Sequence, residues 1–178
     1  MPHRPDAPTA APAPAADWLA LDHQLCFALY AASLAMTKAY KPLLSPLGIT
    51  YPQYLVLLVL WEGDGITVSQ LGDRLTLDSG TLTPLLKRLE SLGLVQRLRD
   101  AVDERRVLLH LTPAAVALRD QAVAVPQAIA CATACDLQQI GTLARQLHQL
   151  RRQLSASLAP TVSPTAEPAS GAAVPPRP

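Results

Sequence analysis

Thr67-Val-Ser-Gln-Leu-Gly-Asp-Arg-Leu75, followed directly by Thr76-Leu-Asp-Ser-Gly-Thr-Leu-Thr-Pro-Leu-Leu-Lys-Arg-Leu-Glu90, decides how this chain folds. The first segment has its own start signal. Thr67 and Gln70 have capping-box spacing, so each side chain can satisfy an orphan backbone N–H. Val68, Leu71 and Leu75 then form one apolar stripe. The second segment has two possible starts. Asp78 or Ser79 can cap it, which leaves Pro84 inside the helix at the cost of a hydrogen bond. Alternatively, Thr83 is the cap and Pro84 takes the first helical position. In both cases Leu82, Leu85, Leu86 and Leu89 face inward. Ser79, Thr81, Thr83, Lys87 and Arg88 are left outside, and Gly93 stops the helix.

Next comes an alternating segment, Leu94-Val-Gln-Arg-Leu-Arg99, then the charged turn Asp100-Ala-Val-Asp-Glu-Arg105, then Val107-Leu-Leu-His-Leu111. Period two marks half-buried strands. Helix, turn, helix and a hairpin with a basic tip suit a winged helix-turn-helix that reads DNA. Arg97, Arg105 and Arg106 join the basic face. An Arg at a wing tip can enter a minor groove, where narrow walls concentrate negative potential. Asp103 stands two residues before Arg105 and is placed to orient its guanidinium. A charge run alone would be a solvated turn; the preceding helix pair favours the DNA reading.

The chain has 178 residues and a net charge of +1. Residues 1–16 are mostly Ala and Pro, and residues 159–178 are rich in Pro, Ala and Ser, so both tails are expected to be disordered. The remaining about 140 residues suffice for one core. The near-neutral total hides a gradient. From Lys87 to Arg119, seven basic residues face four acidic ones, a local excess that suits phosphate. No apolar run approaches the ~20 residues of a membrane span, and the N-terminus lacks a signal-peptide core. The expectation is a cytoplasmic protein that does not engage a membrane. Three cysteines in such a chain imply reduced thiols, suited to redox sensing or metal binding rather than structural bridges.

Outside the DNA-reading lobe, about residues 52–111, terminal helices are expected at 17–45 and 113–158. Asp17 can cap a first helix running towards Tyr40, with Leu21, Leu25, Leu29, Ala32 and Met36 as its stripe. Cys26 flanks that stripe, more than two turns past the cap, and Tyr30 follows one turn later on the same side. Pro42, Pro46 and Gly48 break the chain. Leu55-Val-Leu-Leu-Val-Leu-Trp61, apolar all round, reads as a buried helix. Thr112-Pro113 starts another helix that Pro126 interrupts, and Gln127 to Cys135 is helical again. Asp136 and Gln139 have cap spacing for a last helix. Its stripe is Leu137, Ile140, Leu143, Leu147, Leu150, Leu154 and Leu158, longer than one small domain needs. Pairing between two subunits would explain it, and two-fold DNA sites would match.

A lone Cys on an apolar helix is usually a small core residue. A sensing thiol must be thiolate, since the thiolate attacks a peroxide oxygen. The expected helix start leaves Cys26 too far along for the dipole to help. Hydroxyl donors from Tyr30, Tyr40, Tyr51 or Tyr54 could favour the charged form instead. Cys131 and Cys135, at i and i+4, are expected on one helical face. They are candidates for a resolving thiol, for inert core, or for a metal site. The scattered His23, His110 and His148 supply no zinc pattern, and no metal or cofactor is expected.

Leu25-Cys-Phe-Ala-Leu-Tyr30, Tyr51-Pro-Gln-Tyr-Leu55, Leu77-Asp-Ser-Gly-Thr-Leu-Thr-Pro-Leu-Leu-Lys-Arg-Leu-Glu90 and Asp103-Glu-Arg-Arg-Val107 resemble organic hydroperoxide resistance regulators of the MarR family. The resemblance covers roughly residues 17–158. It implies a dimeric winged-helix repressor, mainly α with a small β-hairpin wing, that leaves double-stranded operator DNA when an organic hydroperoxide oxidises Cys26. By the same resemblance, Tyr40 and Tyr51 hold the partner subunit's thiol, with Tyr30 nearby. Cys131 matches the resolving cysteine of an intersubunit disulfide, with Cys135 as the other candidate. Arg105 matches the minor-groove arginine, with Asp103 as its support. The competing expectations are a repressor that binds a small phenolic ligand with inert cysteines, and a thiol peroxidase. No enzymatic activity is expected of either repressor.

Overall fold

The computed structural model describes residues 18–100, 103 and 105–158. The expected Asp17 cap, both Pro-rich tails and part of the charged turn lie outside the described residues. The structure falls into two units, one ending at Ala134 and one beginning at Cys135. In the first are α1 (Leu25–Leu44), α2 (Tyr51–Glu62), β1 (Ile66–Thr67), α3 (Val68–Leu75), α4 (Ser79–Ser91), β2 (Val95–Arg99), β3 (Val107–Leu111), α5 (Pro113–Ala122) and α6 (Ala124–Ala132). In the second is α7 (Leu137–Leu158). The strands form one antiparallel sheet in the order β1-β3-β2. In the wing, Val95 pairs with Leu111, Arg97 with Leu109 and Arg99 with Val107. The expected architecture, mainly helical with a hairpin wing, is the one observed.

The all-apolar segment is a helix. Thr50 and Gln53 start α2, the Thr50 N–H donating to Gln53 Oε1 at 2.7 Å. Tyr54, Val56, Leu57, Val59 and Leu60 are all buried, so α2 is a central post rather than a surface helix. Gly63 ends it, its N–H returning to the Val59 carbonyl.

Two breaks fall elsewhere than Pro42 and Pro126 suggest. α1 continues through Pro42 to Leu44. The ring costs one hydrogen bond there without stopping the last turn; Gly48, at φ 68, makes the turn. Similarly, α5 stops at Ala122 and α6 begins at Ala124, so the junction precedes Pro126. Pro126 sits in the first turn of α6, where its missing N–H has no intrahelical partner to lose. α6 ends at Ala132, and Ala134 adopts the left-handed conformation at φ 52. The single helical face expected for Cys131 and Cys135 therefore does not form. Asp136 and Gln139 do cap α7, Gln139 N–H donating to Asp136 Oδ1 at 2.7 Å.

The two helices of the reading head pack closely at one glycine. A Cβ on Gly72 would stand 2.8 Å from the Leu77 carbonyl oxygen and 3.2 Å from Leu82 Cδ1. The carbonyl belongs to the α3–α4 turn and has no cheap way to move. Gly72→Ala is expected to destabilise by up to about 2 kcal/mol, because overpacking costs ~1–3 kcal/mol and the better helix propensity of Ala offsets about 1. Urea denaturation measures it; an unchanged midpoint would show that the turn yields.

Candidate nucleic-acid interface and thiol site

Asp78 settles the start of α4. Its Oδ1 accepts the Thr81 N–H at 2.8 Å and its Oδ2 accepts the Thr81 hydroxyl at 3.2 Å. These bonds, the backbone one first, hold its carboxyl below the ordinary 3.8. Pro84 therefore lies inside the helix. Leu82, Leu86 and Leu89 are buried, which turns Ser79, Thr81, Thr83, Lys87 and Arg88 outward, all exposed. Two hydroxyl protons are already engaged, that of Thr81 on Asp78 and that of Thr83 on the Ser79 carbonyl at 2.7 Å. Lys87 and Arg88 supply the positive charge of this face.

The wing departs from expectation at Asp103. Its Oδ1 accepts the backbone N–H of Arg105 at 3.1 Å, and its carbonyl accepts that of Arg106 at 2.9 Å. Asp103 thus shapes the turn; the structure gives it the Arg105 backbone, not the guanidinium, as its partner. An Asx turn of this kind satisfies the short loop locally. Arg105 is exposed. Arg106 NH1 lies 3.7 Å from Asp100 Oδ2. Arg97 is placed differently from the other basic candidates. Its Nε stands 3.2 Å from Glu90 Oε1, close enough for an ion pair. The angle is too poor for a hydrogen bond, and both Nε and NH2 are shielded from solvent. Arg97 faces α4 rather than open solvent.

Sequence reasoning missed the contribution of α3. Thr67, Val68, Ser69 and Gln70 line an open cleft of about 570 Å³ with Arg105, Arg106 and Val107. Only the sheet brings them together, since β1 pairs with β3 beside the wing. It also missed Asp64, whose Oδ1 accepts the Leu111 N–H at 2.9 Å and whose Oδ2 lies 3.2 Å from His110 Nδ1. That pair anchors the base of the wing.

Cys26 is exposed and stands in the first turn of α1, because the helix begins at Leu25 with Gln24 as its cap. The expected position beyond two turns is corrected: the upstream residues form a separate 3₁₀ turn, Leu21–His23. Helix-dipole support for an anion is strongest in a first turn. Tyr30 lies one turn on and is exposed. Tyr40 and Tyr51 do come together, ring centroids 4.5 Å apart, and Tyr54 joins them at 5.9 Å from Tyr40. Burial pushes all three hydroxyls above the ordinary 10.0, with neighbouring tyrosines adding to the shift at Tyr40 and Tyr54. All three are protonated donors at neutral pH. Cys131, on α6, and Cys135, beyond its end, are both exposed. Among the described residues no cluster of His, Cys, Asp and Glu is placed to hold a metal ion. No single described helix is long and apolar enough to cross a membrane.

Known proteins share this arrangement. The organic hydroperoxide resistance transcriptional regulator of Bacillus subtilis is 56% identical over 113 residues, 64% of this chain and 77% of the relative. Structures of AbfR, a Staphylococcus epidermidis protein, superpose along most of their length. Reduced AbfR bound to DNA matches with TM-score 0.64 and 37% identity, over 78% of this chain and 94% of that one. Disulfide-formed AbfR matches with TM-score 0.53 and 40% identity, over 76% and 95%. The chain belongs to the MarR family. This MarR-family chain also matches the model of the transcriptional regulator SarA/Rot family over residues 38–121, from the second half of α1 to the end of α5. Its relatives are transcriptional regulators rather than enzymes.

The tyrosine cluster makes a pH prediction for this MarR-family fold. Its folded-state values lie above 10.0, while the unfolded hydroxyls titrate at about 10. Between these, the folded chain holds more protons than the unfolded one, so stability falls as pH rises. The contribution is fully present below about pH 10 and is lost as pH climbs through the folded values. Tyr40→Phe with Tyr51→Phe should flatten that fall. Urea midpoints between pH 8 and 11 measure it, and equal slopes in parent and double variant would contradict the burial argument.

Proposed function

We propose that this MarR-family protein is a cytoplasmic homodimeric repressor that leaves its operator when an organic hydroperoxide oxidises Cys26. α4 enters the major groove with Ser79, Thr81, Thr83, Lys87 and Arg88. Arg105 enters the minor groove, Arg106 sits near phosphate, and Asp103 holds the turn that presents them. Arg97 braces the wing on α4 through Glu90. The observation that carries the sensing half is the separation of thiol and tyrosines along α1. Cys26 and Tyr40 share that helix, and at about 1.5 Å per residue they are about 21 Å apart. The tyrosine cluster cannot serve the Cys26 of its own chain; a partner's Cys26 is its natural guest. Leu25 is 59% exposed, Tyr30 62% and Leu34 45%, apolar surface on more than one side of α1 that a second copy would bury. Leu143, Leu147 and Leu154 of α7 add a second such face.

The chemistry balances without a cofactor. The Cys26 thiolate attacks the terminal oxygen of the hydroperoxide, the O–O bond breaks, and the alkoxide leaves as the alcohol after taking a proton. Cys26 is then a sulfenic acid. The Cys131 thiol of the other subunit attacks that sulfur, a disulfide forms, and water leaves. Tyr40, Tyr51 and Tyr54 hydroxyls donate to the thiolate and lower its cost in an apolar setting. α2 links this event to DNA. It begins with Tyr51 and Tyr54; at its end Trp61 Nε1 donates to the Ala115 carbonyl at 3.0 Å, and Glu62 pairs with Arg74 of α3. The existence of reduced, DNA-bound and disulfide forms of AbfR supports this reading. A second reading, release by a small phenolic ligand, is favoured by a cavity of about 390 Å³ lined by Tyr54, Leu58, Trp61 and Arg119.

Two measurements decide. Arg105→Ala is expected to weaken DNA binding by roughly 1–3 kcal/mol and to reduce the salt slope while leaving the dimer intact; unchanged affinity across a salt series removes Arg105 from the groove. After organic hydroperoxide, wild type and Cys135→Ser should run on a non-reducing gel as covalent dimers that dithiothreitol reverses. Cys26→Ser and Cys131→Ser should stay monomeric on that gel. A dimer retained in Cys131→Ser and lost in Cys135→Ser transfers the resolving role. DNA binding indifferent to peroxide, with release by a phenol, selects the second reading. Sustained peroxide turnover without DNA binding makes the chain a thiol peroxidase.

A further inference from the structure

We infer that α4 reads one A·T base pair through its own backbone: the Gly80 carbonyl accepts the adenine N6 amino group, and the Pro84 ring packs on the thymine methyl. This rests on the reading above that α4 lies in the major groove. Within an α-helix, the carbonyl of residue i−4 takes the N–H of residue i. Pro84 has no N–H, so the Gly80 carbonyl loses that donor, and the ring crowds it outward. The Asp78 cap creates this situation. Had Thr83 been the cap, Pro84 would have cost nothing. The neighbouring Ser79 carbonyl shows the contrast, since it receives the Thr83 hydroxyl at 2.7 Å as well.

Position then gives the vacancy a use. Leu82, Leu86 and Leu89 define the buried direction of α4. At about 100° per residue, Gly80 and Pro84 lie about 40° apart on the opposite side, with Lys87 beside them. Both are exposed. Gly80 has no side chain to hold a base edge away from its carbonyl. The reading face therefore presents a backbone acceptor next to a flat apolar ring. Once water is excluded from the groove, that acceptor must find a donor or lose affinity. In the major groove adenine N6 and cytosine N4 are the donors, and only the A·T pair carries a methyl on the same edge as its donor. Guanine would oppose its O6 and N7 acceptors to the carbonyl.

The test uses the reduced full-length protein and duplexes selected from a randomised pool. In the preferred duplex, each adenine is replaced in turn by purine, which lacks the N6 amino group, and each thymine by uracil, which lacks the methyl. Gly80→Ala is unsuitable, because its Cβ would meet Asp78 Oδ1 at 3.0 Å and disturb the cap. Pro84→Ala restores the N–H and suits the helix, so it should melt no lower than the parent. For the parent, purine at one adenine of each half-site should weaken binding about tenfold, as a single lost base contact does. Uracil in the same pair should weaken it less. Both penalties should vanish in Pro84→Ala. Equal penalties in the two proteins, or no costly adenine in the parent, overturn the inference. Lys87→Ala and Arg88→Ala variants that keep the parent's affinity and salt slope would take α4 out of the groove and overturn the wider reading as well.

Discussion

Burial of most of α2 is the constraint on which the first unit depends. α1, α3, α4, β3 and α5 all pack against it. Tyr54, Val56, Leu57 and Leu60 are almost fully covered, each stabilising the fold by about 1.5–3 kcal/mol relative to exposure. No surface ion pair approaches that sum, since exposed pairs such as Glu62–Arg74 are worth at most about 1 kcal/mol. The buried Gln53 fits the same constraint because its side-chain oxygen serves the start of the helix. A movement of α2 is transmitted to the reading head, because α3 and α4 both pack against it as well as against the sheet.

The second constraint is what the chain leaves uncovered. Along α1 only Leu44 is buried, although the helix is as apolar as a core element. Leu143, Leu147, Leu154 and Leu158 of α7 are similarly exposed. Large exposed apolar patches commonly mark interaction surfaces. They give the proposed dimer its physical motive, and with it the meeting of one chain's thiol with another's tyrosines.

The reading head spends most of its small polar groups on itself. Asp78, Thr81, Thr83 and Asp103 all serve nearby backbone or one another. Such local bonds fix the helix start and the wing turn, and leave recognition to the groups those elements present. Lys87, Arg88 and Arg105 bring charge. Gly80 and Pro84 bring a bare stretch of backbone between them.

The amino-acid order by itself determined the winged-helix class. Period-3.6 and period-2 stripes, the Thr67–Gln70, Thr112 and Asp136–Gln139 caps, and the outward-facing residues of α4 were all readable, because each depends on neighbours within about one turn or one hairpin. It could not choose between Asp78 and Thr83 as the α4 cap, because both are locally sound. The folded chain chose Asp78, whose carboxylate accepts both the N–H and the hydroxyl of Thr81. Pro42 and Pro126 misled as breakers, since a proline's cost depends on which turn of a helix it occupies. The start of α1 at Leu25, the left-handed Ala134 that separates Cys131 from Cys135, and the turn of Arg97 towards Glu90 were decided only in three dimensions. The same holds for Tyr40, Tyr51 and Tyr54. They lie on two helices joined by a turn, and their spacing in sequence carries no sign that burial of α2 would bring the rings into contact.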